Sequence, residues 1–200
     1  MRVSDGAVFL DRDGVINELV YHRDWDMSES PRTTKDFRLL PGVAKTIKAL
    51  NRMGIRVILI SNQPDIAKGR ITEKTFDRIR KQMHHQLHKA GASLDAEYYC
   101  FHHPKSRLRA YRRNCNCRKP KPGLLQHAAR DLEIVLRDSY MIGDRPSDIL
   151  AGKRAGCKTI WLNDMKCEYC VIMHRMNIHP DFIFRDLNEA TKYIVRTNAS

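Results

Sequence analysis

Asp11 and Asp13 stand two residues apart, just past the apolar run Ala7-Val8-Phe9-Leu10, and Asp144 follows a later apolar run ending at Ile142. Carboxylates gathered at one edge of a sheet repel one another unless a cation sits among them. Hard oxygen ligands that leave room for water and phosphate suit Mg²⁺. A carboxylate in such a place can also attack phosphorus and form an aspartyl-phosphate. A neighbouring carboxyl then serves as general acid and afterwards as general base. If the extended backbone continues past Leu10, Asp11 and Asp13 point the same way. Lys119, within Arg118-Lys119-Pro120-Lys121-Pro122-Gly123, supplies a cation for the transferring phosphoryl group, and Ser61 and Asn62 supply donors for its oxygens. An Asp-x-Asp pair by itself reads as a solvated turn. The ordered combination is far more specific than any one part.

A second cluster has metal-ligand chemistry. Cys100, His102, Cys115 and Cys117 make a set of three sulfurs and one nitrogen, which suits tetrahedral structural Zn²⁺. The chain holds six cysteines. Cys157, after Gly156 and before an apolar run, reads as a small core residue. Cys167, Cys170, His174 and His179 are of ligand type, but the stretch reads as a surface insert rather than a second metal site. His84, His85 and His88 lie on an amphipathic helix and read as solvated.

The elements that must position these groups alternate. Buried strands are expected at Ala7–Leu10, Arg56–Ile60, Glu97–Phe101, Ser139–Ile142 and Lys158–Leu162. Helices are expected over Gly42–Met53, from Thr72 to Gly91, over Gly123–Leu132 and Asp148–Ala155, and from about Leu187. Asp181–Phe184 is a short apolar run, and residues 102–121 form a basic loop bounded by prolines. Strands alternating with helices imply right-handed crossovers and a mostly parallel sheet covered on both faces, a Rossmann-like three-layer α/β sandwich. Ligands bind such sheets beyond the carboxyl ends of the strands. Three strands here run straight into polar clusters: Asp11-Arg12-Asp13, Ser61-Asn62-Gln63 and Gly143-Asp144-Arg145.

The chain has 200 residues, 42% hydrophobic and 30% charged, a globular composition large enough to bury a core. No apolar run approaches the roughly 18 residues of a membrane span. Asp11 is reached before any apolar stretch of signal-peptide length, so a cytoplasmic protein is expected. Thirty-six Lys and Arg against 23 Asp and Glu give a net charge of +13. That favours an anionic partner without choosing between nucleic acid, an anionic surface and a phosphorylated metabolite.

The four polar segments, taken in order, resemble the motifs of the haloacid dehalogenase superfamily of phosphotransferases. They are Asp11-Arg12-Asp13-Gly14-Val15-Ile16-Asn17, Ser61-Asn62-Gln63, Arg118-Lys119-Pro120 with Pro122-Gly123, and Gly143-Asp144-Arg145-Pro146-Ser147-Asp148. The resemblance runs from about residue 7 to residue 162 and is closest to the histidinol-phosphate and heptose-bisphosphate phosphatase branch. It implies that Asp11 attacks phosphorus and binds Mg²⁺. Asp13 would protonate the leaving alkoxide, activate water and ligate Mg²⁺ through its carbonyl, and Asp144 would complete the protein's share of the metal shell. Ser61 and Lys119 would hold phosphoryl oxygens, Asn62, Arg118 and Arg145 would contact substrate, and Asp148 would support the metal site from behind. The zinc set matches the branch's structural zinc loop, here about residues 100–118. The resemblance further implies a single domain over 1–200, with no large cap domain, acting on a small phosphorylated sugar. A heptose 1,7-bisphosphate cleaved at the 7-phosphate is the first expectation. Histidinol phosphate and a nucleic-acid 3′-end are the alternatives, nucleic acid being disfavoured by the lack of a clear aromatic platform. No membrane partner is expected, and a monomer is favoured.

Two departures bear on specificity. Pro64-Asp65 replaces the small residue and Gly usual in the branch, so a backbone N–H is lost at Pro64. The segment from Leu19 to Leu40 is longer and more charged than expected. Its Tyr21-His22-Arg23-Asp24-Trp25 would lie over the site if it forms a flap.

Overall fold

The first strand, β1 (Ala7–Leu10), is buried along its whole length, and it occupies an inner position in the sheet of the computed structural model. That structure describes residues 5–23, 26–162 and 168–198. A strand buried on both faces reads as an unbroken apolar run, which is the parallel-sheet signature. β1 pairs in parallel with β4 (Arg56–Asn62) on one side and β6 (Tyr140–Gly143) on the other. With β5 (Ala96–Cys100), β7 (Lys158–Leu162) and β8 (Phe182–Phe184), the sheet order is β5-β4-β1-β6-β7-β8, and every pairing is parallel. The mostly parallel expectation is therefore met.

The helices cover the sheet as α1 (Val43–Arg52), α2 (Glu73–Lys89), α3 (Gly123–Asp131), α4 (Pro146–Ala155), α5 (Glu168–Arg175) and α6 (Leu187–Asn198). In α2, Phe76, Ile79, Met83 and Leu87 form the buried stripe, and the Thr72 side chain caps the first turn by accepting from Thr75 N at 3.1 Å. The two faces of the sheet pack separately. Leu10, Leu59 and Ile142 face a cluster with Ile47, Leu50 and Ile79, while Phe9, Ile58 and Met141 face Leu124, Leu125 and Ala128. That split is the period-two alternation of strands sandwiched between helix layers.

Several boundaries differ from the sequence reading, most of them at the site end. β4 runs on to Asn62 because Ser61 and Asn62 continue the ladder with Tyr99 and Cys100 of β5. β6 includes Gly143, and α4 starts at Pro146, where proline's fixed φ suits the first helical turn. β5 begins at Ala96 and ends at Cys100.

The Leu19–Leu40 segment contains an antiparallel hairpin, β2 (Val20–His22) with β3 (Met27–Glu29). Asp24 and Trp25 lie outside the described residues. Tyr21 is exposed and its hydroxyl bonds to Asp26, while Glu29 and Ser30 at the end of the same hairpin line the cavity that holds Asp11 and Asp13. Cys167 also lies outside the described residues. His179 bonds to Asn177 Oδ1 at 2.7 Å. His84 is not simply solvated: it bonds to Glu97, which also pairs with Arg80. Among the described residues, no helix is long and apolar enough to cross a membrane.

Candidate active site

Just after β1, the Asp11 N–H still donates to Ile142 O at 3.0 Å. The chain then folds over itself: the amides of Val15, Ile16 and Asn17 all point at Arg12 O, at 3.3, 2.7 and 3.0 Å. Gly14 allows this turn, with φ at +88°. A Cβ there would also fall 2.2 Å from Asp144 Oδ2, so the glycine serves the carboxylate as well as the turn.

The turn sends Asp11 and Asp13 to different neighbours. Asp11 Oδ1 lies 2.9 Å from Lys119 Nζ, which also reaches Asp148 Oδ1 at 2.7 Å and Ile60 O at 2.8 Å. Three donors of one ammonium thus meet three acceptors. Burial works against the Lys119 charge, but Asp11 and Asp148 outweigh it and hold its pKa above the ordinary value. The carboxylates that converge are Asp11, Asp144 and Asp148, with ligand oxygens within 4.8 Å of one another. The expectation that the Asp13 side chain shares Asp11's direction is corrected here, because the chain leaves the extended conformation at Arg12. Asp148 is fully buried. Its Oδ2 accepts from Arg145 N at 3.0 Å at the start of α4, and there is no room for a side chain at Gly143, where a Cβ would meet Asp148 at 2.2 Å.

This donor set fits Mg²⁺. Asp144 Oδ1 is buried with no hydrogen-bond partner among the described residues. Burial first, then the charges of Asp148 and Asp11, push the Asp144 carboxyl up from its ordinary value. Converging buried carboxylates, one of which leaves an oxygen without a partner, are what a hard divalent cation stabilises.

Asp13 sits in a separate, nearly complete network. Oδ1 accepts from Arg12 Nη2 at 2.9 Å and Asn17 Nδ2 at 3.0 Å, and Oδ2 accepts from Gln63 Nε2 at 2.6 Å, Ser30 Oγ at 2.8 Å and the same Arg12 Nη2 at 3.1 Å. Burial raises its pKa, and Arg12, followed by the Asn17 and Gln63 hydrogen bonds, more than reverses this and holds the carboxyl below its ordinary value. The buried Arg12 guanidinium lies over the Phe76 ring, 5.8 Å from its centroid.

The other residues read from the sequence divide. Asn62, Arg118, Lys119 and Arg145 line a cavity of about 210 Å³ together with Asp11 and Asp13. Asn62 grips the Lys119 backbone: its Nδ2 donates to Lys119 O at 3.0 Å and its Oδ1 accepts from Lys119 N at 3.1 Å. Its amide is thereby occupied in placing the lysine. Ser61 is buried and accepts from Gln63 Nε2 at 3.0 Å; Asn62 and Pro64 beside it line the cavity instead. The cavity wall also includes Glu29, Ser30 and Lys68, to which the motifs do not point, and Asp65, one of the departures beside the second motif.

The sulfur–nitrogen cluster forms as expected from its residue types. Cys100 Sγ lies 3.5 Å from Cys115 Sγ and 3.3 Å from Cys117 Sγ, and His102 turns Nδ1 to within 3.2 Å of Cys117 Sγ. All four ligand atoms fall within 4.8 Å of one another, a fit for a closed tetrahedral Zn²⁺ site. Cys117 is followed by Arg118, whose guanidinium donates to His102 O at 3.3 Å. The cluster thus abuts the cavity wall.

A family model described as HAD-hydrolase-like matches residues 116–190. The chain is 40% identical over 155 residues to D-glycero-beta-D-manno-heptose-1,7-bisphosphate 7-phosphatase of Haemophilus ducreyi, covering 76% of this chain and 80% of the relative. It is 36% identical to the enzyme of that name from Escherichia coli K12, covering 80% and 79%. Among solved structures, D,D-heptose 1,7-bisphosphate phosphatase from B. bronchiseptica, complexed with magnesium and phosphate, superposes with a TM-score of 0.79 at 25% identity over 96% of this chain and 99% of that one. Fold and site together define a phosphoric monoester hydrolase of the haloacid dehalogenase type. Within that class, the chain belongs to the family of the heptose-bisphosphate phosphatases.

Proposed function

We propose that this chain hydrolyses the 7-phosphate of D-glycero-D-manno-heptose 1,7-bisphosphate through an aspartyl-phosphate on Asp11. The observation that carries the reading is the name shared by relatives 36–40% identical over most of both chains. The cavity supports it with acid, base, nucleophile and cation side by side.

In this reading a free Asp11 oxygen attacks phosphorus as the bond to the sugar oxygen breaks. Lys119 offsets the charge that gathers on the phosphoryl oxygens. Asp13, ionised among its donors in the free site, takes up a proton when the substrate's phosphate enters beside it and gives that proton to the departing sugar oxygen. It then takes a proton from the water that attacks the acyl phosphate, and phosphate leaves with Asp11 restored. Arg118 and Arg145 contact substrate from the cavity wall, and Ser61 and Asn62 keep the phosphoryl end of the site in place. Asp11 and Asp144, with the Asp13 carbonyl, would hold Mg²⁺, and the buried Asp148 lies beside them. Bound there, the ion would screen the phosphoryl charge and orient its oxygens. Cys100, His102, Cys115 and Cys117 would hold Zn²⁺, which fixes the start of the Arg118–Lys119 segment. We take residues 1–200 as one catalytic domain with this loop built in.

The test is phosphate release in Mg²⁺ from a small panel: both anomers of heptose 1,7-bisphosphate, histidinol phosphate, fructose 1,6-bisphosphate and a 3′-phosphorylated oligonucleotide. The proposal expects one heptose anomer to show the highest kcat/KM. A preference for histidinol phosphate or for the oligonucleotide would overturn it.

A further inference from the structure

The β2–β3 hairpin takes no part in the reaction as written above, yet its exit touches the acid–base group. Ser30 Oγ donates to Asp13 Oδ2 at 2.8 Å. The four side chains around this carboxyl differ in what they can do. Arg12 can only donate. The Asn17 and Gln63 amides are buried, and each donates a second bond, Asn17 to Glu18 O at 2.9 Å and Gln63 to Ser61 Oγ at 3.0 Å. Turning the Asn17 amide over would break its second bond, and turning the Gln63 amide over would require the Ser61 hydroxyl to turn with it. A hydroxyl changes from donor to acceptor by rotating about one C–O bond. Ser30 can adjust to Asp13 Oδ2 by that one rotation.

Ser30 is also held in place from behind. It follows Glu29, whose carboxylate is clamped by Arg32 at 2.7 Å, by Arg70 and, more loosely, by Lys68 at 3.8 Å. Glu29, Ser30 and Asp13 line the same cavity. The clamp joins the hairpin to the segment after β4 across 41 positions of chain.

We propose that Ser30 is a positioning residue for the proton transfers of this phosphatase, its hydroxyl holding the Asp13 carboxyl aligned with the cavity. The proposal rests on the reading of Asp13 as the acid–base group. In the first half, an Asp11 oxygen bonds to phosphorus as the bond to the leaving oxygen breaks, the Asp13 proton passes to that oxygen, and Ser30 donates to the resulting carboxylate. In the second half, water bonds to phosphorus as the bond from phosphorus to Asp11 breaks, and Asp13, held by the same hydroxyl, takes the water's proton. The Glu29 clamp sets where that hydroxyl stands.

Leaving-group dependence tests this, because a good leaving group needs no proton and a poor one does. Ser30→Ala, Ser30→Thr and Asp13→Ala would be assayed with Mg²⁺ on p-nitrophenyl phosphate and on an alkyl phosphate that the wild type turns over, with melting temperature as a check on folding. Ser30→Ala should lose about tenfold in kcat on the alkyl phosphate and stay within about twofold on p-nitrophenyl phosphate, with KM little changed. Ser30→Thr should recover most of the loss. Asp13→Ala should show the same selectivity in stronger form. If Asp13→Ala is selective but Ser30→Ala slows both substrates equally or neither, the role of Ser30 is overturned while the acid–base reading stands. If Asp13→Ala is itself unselective, that reading falls and the proposal with it.

Discussion

Lys119 and Asp148 form an ion pair closed off from solvent, with Nζ 2.7 Å from Oδ1 and side-chain exposures of 2% and 0%. A buried pair of this kind is costly to assemble and more costly to break, because removal of one partner strands the other's charge. Here the lysine also neutralises Asp11, so one ammonium holds two of the three converging carboxylates. Lys119→Met should therefore destabilise the fold by about 3–5 kcal/mol in urea unfolding without added metal. It should also abolish turnover. A variant with wild-type stability and activity would show that the pair is neither structural nor catalytic.

Gly14 stands between the turn and the metal ligands. Gly14→Ala places a side chain at φ +88° and a methyl 2.2 Å from Asp144 Oδ2. The backbone strain alone costs about 1–3 kcal/mol. The account expects a lower melting temperature together with a raised Mg²⁺ concentration for half-maximal activity. A loss of stability with an unchanged Mg²⁺ requirement would mean that the glycine serves the turn alone.

The sulfur cluster makes a separate prediction. Complete chelation, or Cys117→Ala, should lower the melting temperature and reduce activity indirectly, through Arg118 and Lys119, which follow Cys117 in the chain. Elemental analysis of the purified protein should find about one zinc per chain. An unchanged melting temperature after complete chelation would count against a structural metal.

Away from the site, Glu97 ties β5 to α2. It accepts from Arg80 Nε at 3.0 Å and Tyr99 Oη at 2.5 Å, and pairs with His84. Burial raises its pKa, and the Tyr99, Arg80 and His84 contacts outweigh burial and hold it below the ordinary 4.5. A folded pKa below the unfolded one gives stability that is present above the unfolded value and lost as pH falls through the folded one. Wild type should exceed Glu97→Gln in stability at neutral pH, and the gap should close as the solution is acidified below about pH 4.5. Parallel stability curves across that range would contradict the assignment.

The parts of the fold most legible in the sequence were those with a local cause. Unbroken apolar runs marked the buried strands, and the Phe76–Leu87 spacing marked the stripe of α2. Polar clusters at three strand ends located the site, because a parallel sheet brings those ends together. Residues whose role depends on distant contacts were not legible. Glu29 is clamped by Arg70, and Ser30 finds Asp13, through a hairpin with little apolar periodicity to announce it. Gln63 sat in plain view inside a motif, but its bonds to Asp13 and Ser61 follow only from the end of β4. The resemblance implies that Asp148 supports the metal site from behind; the start of α4 at Pro146 brings it in beside Asp11 and Asp144 themselves. Asp13 parted from Asp11 because the chain turns at Arg12, which an alternating-strand argument cannot anticipate.

The central claim is that Asp11 carries the phosphoryl group. Enzyme mixed with heptose 1,7-bisphosphate and Mg²⁺, quenched in acid within a turnover and reduced with borohydride, can be digested and read by mass spectrometry. The account predicts a reduced side chain at position 11, found only when substrate was present and lost in Asp11→Asn, which should also release no phosphate. Phosphate release by a clean Asp11→Asn preparation at near wild-type rate, with no modification at that peptide in the wild type, would contradict it.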